Sequence, residues 1–128
     1  MYAAALDDTM AAKAAIIPVE RAEAPMMLIS GGRDRMWPSS RMAEMIKARL
    51  GEHGGGNAVV HLDFPDAGHS IMPWAPGSEL TPIGRVMNAV RLTGVGGVVA
   101  LGGRPGANRR ALRTAWPQVV GFFRKHLT

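Results

Sequence analysis

The chain contains no cysteine. That excludes a disulfide framework, a thiolate metal site and a cysteine nucleophile among these residues, and it fits a reducing compartment. Aromatic residues are scarce, at 5% of the chain, and they form no pattern of the RNA-binding kind. No stretch approaches the ~18 uninterrupted apolar residues that a membrane helix needs. The opening MYAAALDDTMAAK has neither the basic start nor the apolar run of a signal peptide. The expectation from these absences is a soluble, cytoplasmic protein with no membrane partner.

What is present is globular in kind. Apolar residues make up 47% of the chain and charged residues 20%, which sets it apart from disordered sequences. Its 128 residues are the length of one ordinary domain with a modest core, so residues 1–128 are read as a single domain. Nine methionines and many alanines suggest that this core is soft and adaptable. The net charge of +5 is spread along the chain, with one cluster at Arg104, Arg109, Arg110 and Arg113. No zinc-finger spacing and no long Lys/Arg run accompanies it, so it reads as a solvated face and no nucleic-acid partner is expected. No pair of histidines has ligand spacing, and neither a metal nor another cofactor is expected.

Pro25 introduces Met26 to Ser30 (MMLIS), an apolar run stopped by Gly31-Gly32. A strand buried on both faces has this pattern. Pro38-Ser39-Ser40 then opens a helical pattern through Met42, Met45, Ile46 and Leu50, closed by Gly51. Ser39 or Ser40 is expected to cap it, with Glu44 giving capping-box character. Ala58 to Phe64 forms a second strand, ended by Pro65-Asp66. Strand, helix and strand in this order predict a βαβ unit with parallel pairing and a right-handed crossover. Residues 2–15 read as the end of a helix or an irregular arm, and residues 16–20 as an extended piece. Residues 70–106, broken by Pro73, Pro76, Pro82, Gly94, Gly96 and Gly97, read as an excursion with a short helix near residues 83–91. A final amphipathic helix is expected from about Ala107 to Leu127, with Pro117 implying a kink or a start at Trp116.

Asp34 follows the first strand by four residues, and His69 follows the second by five. Parallel neighbouring strands bring both loops to the C-terminal edge of the sheet, where open α/β sheets place their sites. In an α/β-hydrolase the triad runs along the chain as nucleophile, acid and histidine, in that order. A histidine there can take a proton from a nucleophile and return it to a leaving group. A carboxylate on its other nitrogen fixes the tautomer and stabilises the imidazolium. Gly31 and Gly32 are expected to turn the acid loop sharply, and Gly68 to let backbone pass beside the imidazole. Asp66 is the nearest rival to Asp34 but follows the wrong strand. His61 reads as an ordinary strand residue, and His53 and His126 as exposed ones.

The string IPVERAEAPMMLISGGRDRMWPSSRMAEMIKARL, with HLDFPDAGHSI and LGGRPGANRRALRTAWPQVVGFFRKHL, resembles one group specifically. It is similar to the C-terminal domain of the acyl-CoA thioesterase and bile acid-CoA:amino acid N-acyltransferase family. The shared pieces are Ile17 to Glu20, Ser30-Gly31, Asp34 before Trp37 to Ser40, Ala67 to His69, and Gly102 to Pro117. The resemblance implies an α/β fold, specifically the C-terminal portion of an α/β-hydrolase (last βαβ unit plus terminal helix) with an incomplete sheet. It implies Asp34 as triad acid, His69 as general base, and an acyl-CoA thioester as substrate. Trp37 to Ser40 are read as structural, with Pro38 setting the turn, a serine capping the helix and Trp37 packing.

The family's serine or cysteine nucleophile stands in an elbow upstream of the acid, and no such elbow is found here. Ser30 ends the strand that precedes Asp34, and the stretch Gly68 to Met72 has methionine where an elbow needs glycine. The expectation is therefore the acid-and-base part of a thioester hydrolase or acyltransferase, inactive without its nucleophile. The alternative is a non-catalytic remnant that acts as a binding module, soluble only as a homo-oligomer or with a partner chain, because half a sheet leaves an interior edge unpaired.

Overall fold

The computed structural model describes residues 2–54, 58–69, 71, 92–94, 97–99, 101–104 and 106–127. The amino-terminal arm is two short helices, α1 (Tyr2–Asp7) and α2 (Thr9–Ala14). Asp8 separates them and caps α2, its carboxylate accepting the Ala11 N–H at 3.1 Å. The stretch expected to be extended closes into a single 3₁₀ turn at Val19–Arg21.

The centre is a parallel pair of strands joined by a helix: β1 (Met26–Gly31), α3 (Ser39–Glu52) and β2 (Val59–Phe64). Register runs from Met26 opposite Val59 to Gly31 opposite Phe64. Because side chains alternate across a strand, Leu28 and Ser30 share a face with His61 and Asp63. Ile29 and Gly31 share the other with Leu62 and Phe64. α3 packs against both strands.

The serines that open α3 do not cap it. Pro38 occupies the cap position without a side-chain bond to the helix. Ser39 Oγ instead accepts the Gly31 N–H at 3.1 Å and lies 3.2 Å from the Gly31 carbonyl oxygen. The end of β1 thus offered this hydroxyl a donor and an acceptor together. Glu44 likewise forms no capping box and pairs with Lys47 at 2.9 Å. Gly51 lies within the helix rather than closing it.

Farther along, Leu92–Gly94 (β3) and Gly97–Val99 (β4) pair antiparallel, a small hairpin that the glycine-punctuated sequence did not announce. The helix expected near residues 83–91 lies outside the described residues. The final helix, α4 (Ala107–His126), runs unbroken through Pro117. It begins at Ala107 as expected and needs no second start at Trp116. His126 is half-buried rather than exposed, with its ring 4.7 Å from that of Phe122.

Apart from Leu50 and Leu112, the buried apolar side chains among the described residues are alanines: Ala43, Ala67, Ala107, Ala111 and Ala115. Ala107, Ala111 and Ala115 recur at every fourth residue, one face of α4, and α4 packs near β1. Small side chains there let the helix approach closely. Among the described residues no strand pairs with the other edge of β1. An open groove of about 490 Å³ runs beside it, lined by Met27, Ile29, Met42 and Ile46 and reaching Asp34 and His69.

A two-pronged ion pair ties the 3₁₀ turn to α3, with Glu20 accepting from Arg49 Nε and Nη2 at 2.5 and 2.6 Å. The Arg49 hydrogen bonds outweigh partial desolvation and lower the Glu20 carboxyl from its ordinary 4.5 to about 2. A carboxylate lowered in the folded state stabilises the fold above its unfolded pKa, and that stabilisation is lost as pH falls through the folded value. Between about pH 4.5 and 2, the melting temperature of the Glu20→Gln chain should therefore fall less steeply than that of the unaltered chain. Parallel slopes of the two in thermal melts across that window would refute this role for the pair.

Candidate active site

The two strands end side by side, so the loops that leave them start together. Backbone bonds then join the loops to each other: Gly32 N–H to the Phe64 carbonyl at 3.1 Å, and Arg33 N–H to the Ala67 carbonyl at 2.8 Å. Asp34 is held at the centre of this knot. Its Oδ1 accepts the N–H groups of Met36 (2.9 Å) and Trp37 (3.0 Å). Its Oδ2 lies 3.0 Å from His69 Nδ1. The Asp34 side chain is only 4% exposed, whereas that of His69 is 33% exposed.

These contacts bear on the tautomer of the ring. A carboxylate only accepts, so the Nδ1 proton points at Asp34, and in the neutral ring Nε2 is left as the basic nitrogen. Among the described residues Nε2 has no hydrogen-bond partner, and the ring borders the groove beside β1. Trp37 lies nearly parallel to the imidazole, with ring centroids 6.3 Å apart and planes 29° from each other. It thus covers part of the site as well as packing in the turn. Asp66, the rival acid, turns away and bridges Arg33 and Arg104, each at 3.3 Å.

A short strap crosses both loops. The Leu101 carbonyl accepts the His69 N–H at 2.8 Å, Gly102 forms an isolated antiparallel bridge with Asp34, and Arg104 N–H bonds the Asp66 carbonyl at 2.9 Å. Gly68 serves the close backbone approach expected of it: the backbone that passes there is the strap, and a Cβ at residue 68 would overlap Gly102. Gly31 also serves close approach rather than a sharp turn. Its φ is not positive, and a Cβ there would come within 2.7 Å of the Ala67 and Gly68 carbonyl oxygens. Gly102 itself has φ +77°, with the Arg33 carbonyl against the position a side chain would take. Substituting Gly68→Ala should destabilise the chain by about 1–3 kcal/mol through overpacking against backbone. Urea denaturation measures this, and an unchanged midpoint would show that the strap can move aside.

A second polar array lies under the sheet, and sequence reasoning missed it. Ser30 Oγ is 2.7 Å from His61 Nε2, and His61 Nδ1 is 3.2 Å from Glu44 Oε1. The order serine, histidine, carboxylate imitates a triad. Two facts exclude a nucleophile here. Ser30 is 2% exposed, and its hydroxyl proton goes to Asp63 Oδ1 at 2.7 Å, the same oxygen that accepts from Ser40. Partial burial pushes the Asp63 carboxyl up, but the Ser40 and Ser30 hydroxyls and nearby His61 outweigh it and leave the group below its ordinary value. The signal in the sequence was the alternation of His61 and Asp63 on one face of β2. It could be used only once register had set Ser30 opposite Asp63. Ser30→Ala should cost about 1–3 kcal/mol of stability by removing the partner of Nε2 on the largely buried His61 ring, measurable by chemical denaturation. No loss of stability would mean that water replaces the hydroxyl freely.

Among the described residues no three His, Asp or Glu side chains converge as a metal would require. What the structure presents is an α/β domain with a carboxylate–imidazole pair where two parallel strands end. A family model described as BAAT / Acyl-CoA thioester hydrolase C terminal matches residues 2–128, and the chain belongs to that family. Acyl-coenzyme A thioesterase 6 of Homo sapiens is 33% identical over 88% of this chain and 24% of its own length. Peroxisomal succinyl-coenzyme A thioesterase of Mus musculus is 32% identical over 88% of this chain and 24% of its own. Acyl-coenzyme A thioesterase 2, mitochondrial, also of Mus musculus, is 32% identical over 96% of this chain and 25% of its own. The chain thus spans about a quarter of the length of these curated relatives.

Proposed function

We propose that residues 1–128 form a single domain, the C-terminal portion of an α/β-hydrolase fold, that supplies the acid (Asp34) and general base (His69) of an acyl-CoA thioester hydrolase. The nucleophile, a serine or cysteine, comes from outside this sequence. The observation that carries the reading is the 3.0 Å contact between Asp34 Oδ2 and His69 Nδ1, made by a buried acid to a ring whose other nitrogen is unpartnered among the described residues. The relatives' names supply the substrate class, an acyl-CoA thioester.

In this reading His69 Nε2 takes the nucleophile's proton as the nucleophile bonds to the thioester carbonyl carbon. The carbon–sulfur bond then breaks, and the departing CoA sulfur takes that proton from the imidazolium. Water next bonds to the acyl carbon and gives a proton to Nε2, which returns it to the nucleophile as the free acid leaves. Asp34 stabilises the imidazolium in both halves and keeps the ring in one tautomer. An amine in place of water would make the same machinery an acyltransferase. A cytoplasmic location belongs to the proposal as well. No helix among the described residues is long and apolar enough to cross a membrane, while two relatives are named for peroxisomes and mitochondria.

The groove beside the edge of β1 that no strand among the described residues pairs with favours a second reading, a binding module without chemistry that pairs with another chain or copy. One experiment separates the two. Residues 2–128 replace the matching quarter of the mouse acyl-coenzyme A thioesterase 2, and hydrolysis of acyl-CoA thioesters is measured. The chimera should be active, and Asp34→Asn or His69→Ala should lower kcat by about 10³–10⁴-fold. The isolated chain should stay near background. A folded chimera whose activity survives His69→Ala would sink the catalytic reading and leave the binding module.

A further inference from the structure

The base is held from behind by a helix that takes no part in the proton chemistry. Asn108 stands in the first turn of α4, and its Oδ1 accepts the Gly68 N–H at 2.7 Å. That places the amide oxygen one residue from His69, across forty positions of chain. An N–H can only donate, so the oxygen of the amide must be the atom facing it.

The same oxygen also sets the path of the strap. Gly103 has φ +89°, and a Cβ there would lie 2.5 Å from Asn108 Oδ1 and 2.8 Å from the Gly68 nitrogen. Strap, histidine loop and Asn108 therefore meet at one point with no room for a side chain. From that point the strap reaches both halves of the pair: Leu101 accepts from His69, while Gly103 N–H bonds the Arg33 carbonyl at 3.3 Å beside Asp34. The chain then enters α4, with the Ala107 N–H bonding the Arg104 carbonyl at 3.0 Å. Each of these bonds is modest by itself. Together they leave the His69 backbone few ways to shift without breaking a bond to the strap or to the helix.

We infer that Asn108 is a positioning residue for His69: it locks the histidine loop to the first turn of α4, and the Asp34–His69 contact depends on that lock. The inference rests on His69 being the proposed base, but its mechanical part is tested without catalysis. In the full chain, Asn108→Leu removes the acceptor at similar volume. Asn108→Asp keeps an acceptor and suits a helix N-terminus, so it serves as the conservative rescue.

The first readout is amide hydrogen exchange. Asn108→Leu should speed exchange at Gly68 and His69 about tenfold, the loss of one such bond, relative to amides in the middle of α4. The second is the His69 Nδ1 proton resonance, identified by its loss in Asp34→Asn. It should broaden or vanish in Asn108→Leu and persist in Asn108→Asp. In the chimera, kcat should fall about 10²-fold for Asn108→Leu, as for a small misplacement of a reacting group, with KM unchanged. A uniform rise in exchange across the chain, or an Nδ1 resonance indifferent to Asn108→Leu, would overturn the inference. If exchange and resonance respond as stated while His69→Ala leaves the chimera active, the lock stands and the catalytic reading fails.

Discussion

The parallel register of β1 and β2 is the constraint from which the rest of the molecule follows. Pairing Gly31 with Phe64 makes both strands stop at the same height. The two loops that leave them are then close enough to bond through their own backbones, before any side chain is considered. A slip of one residue would put Ser30 and His61 on opposite faces and shift the acid loop relative to the histidine loop. The polar array under the sheet helps to specify this register. Ser30, His61, Asp63, Ser40 and Glu44 satisfy one another only when Ser30 lies opposite Asp63. An array that imitates a triad thus fixes the alignment on which the Asp34–His69 contact depends.

Much of this was legible in the residues, for identifiable reasons. The apolar runs of β1 and β2 were long enough and sharply enough stopped to be read as strands, and methionine and leucine spacing gave α3. The positions of Asp34 and His69 relative to strand ends followed from βαβ geometry alone. What the residues did not disclose depends on contacts distant in sequence. Ser39 has the character of a helix cap, yet its hydroxyl found a donor and an acceptor on Gly31. Gly31 has the character of a turn former, yet it is small because the Ala67 and Gly68 carbonyls lie against it. Asn108 gives no local hint of its partner forty residues away.

Among the described residues two histidine side chains lie against carboxylates, and their environments differ. The His61 side chain is 9% exposed with both nitrogens engaged, so it is a fixed member of a network. The His69 side chain is one-third exposed with one nitrogen engaged. The proposed proton transfer needs a nitrogen that is free to exchange, and of these two rings only that of His69 has a nitrogen without a partner among the described residues. Proximity to an acid is therefore a poor guide to function in this fold. The count of engaged nitrogens is a better one.

The alanine stripe on α4 has a consequence beyond packing. Ala107, Ala111 and Ala115 set the distance at which the helix stands from its neighbours, and the first turn of that helix carries Asn108. The stripe therefore acts as a spacer, with the methyl groups as its gauge. A bulkier residue at position 111 or 115 would push the helix outward, and the first turn would carry that displacement to the Gly68 amide. Dense interiors transmit such strain instead of absorbing it. The tolerance of the core to substitution and the aim of the imidazole are thus a single property, and drift in the one is bounded by what the other can bear.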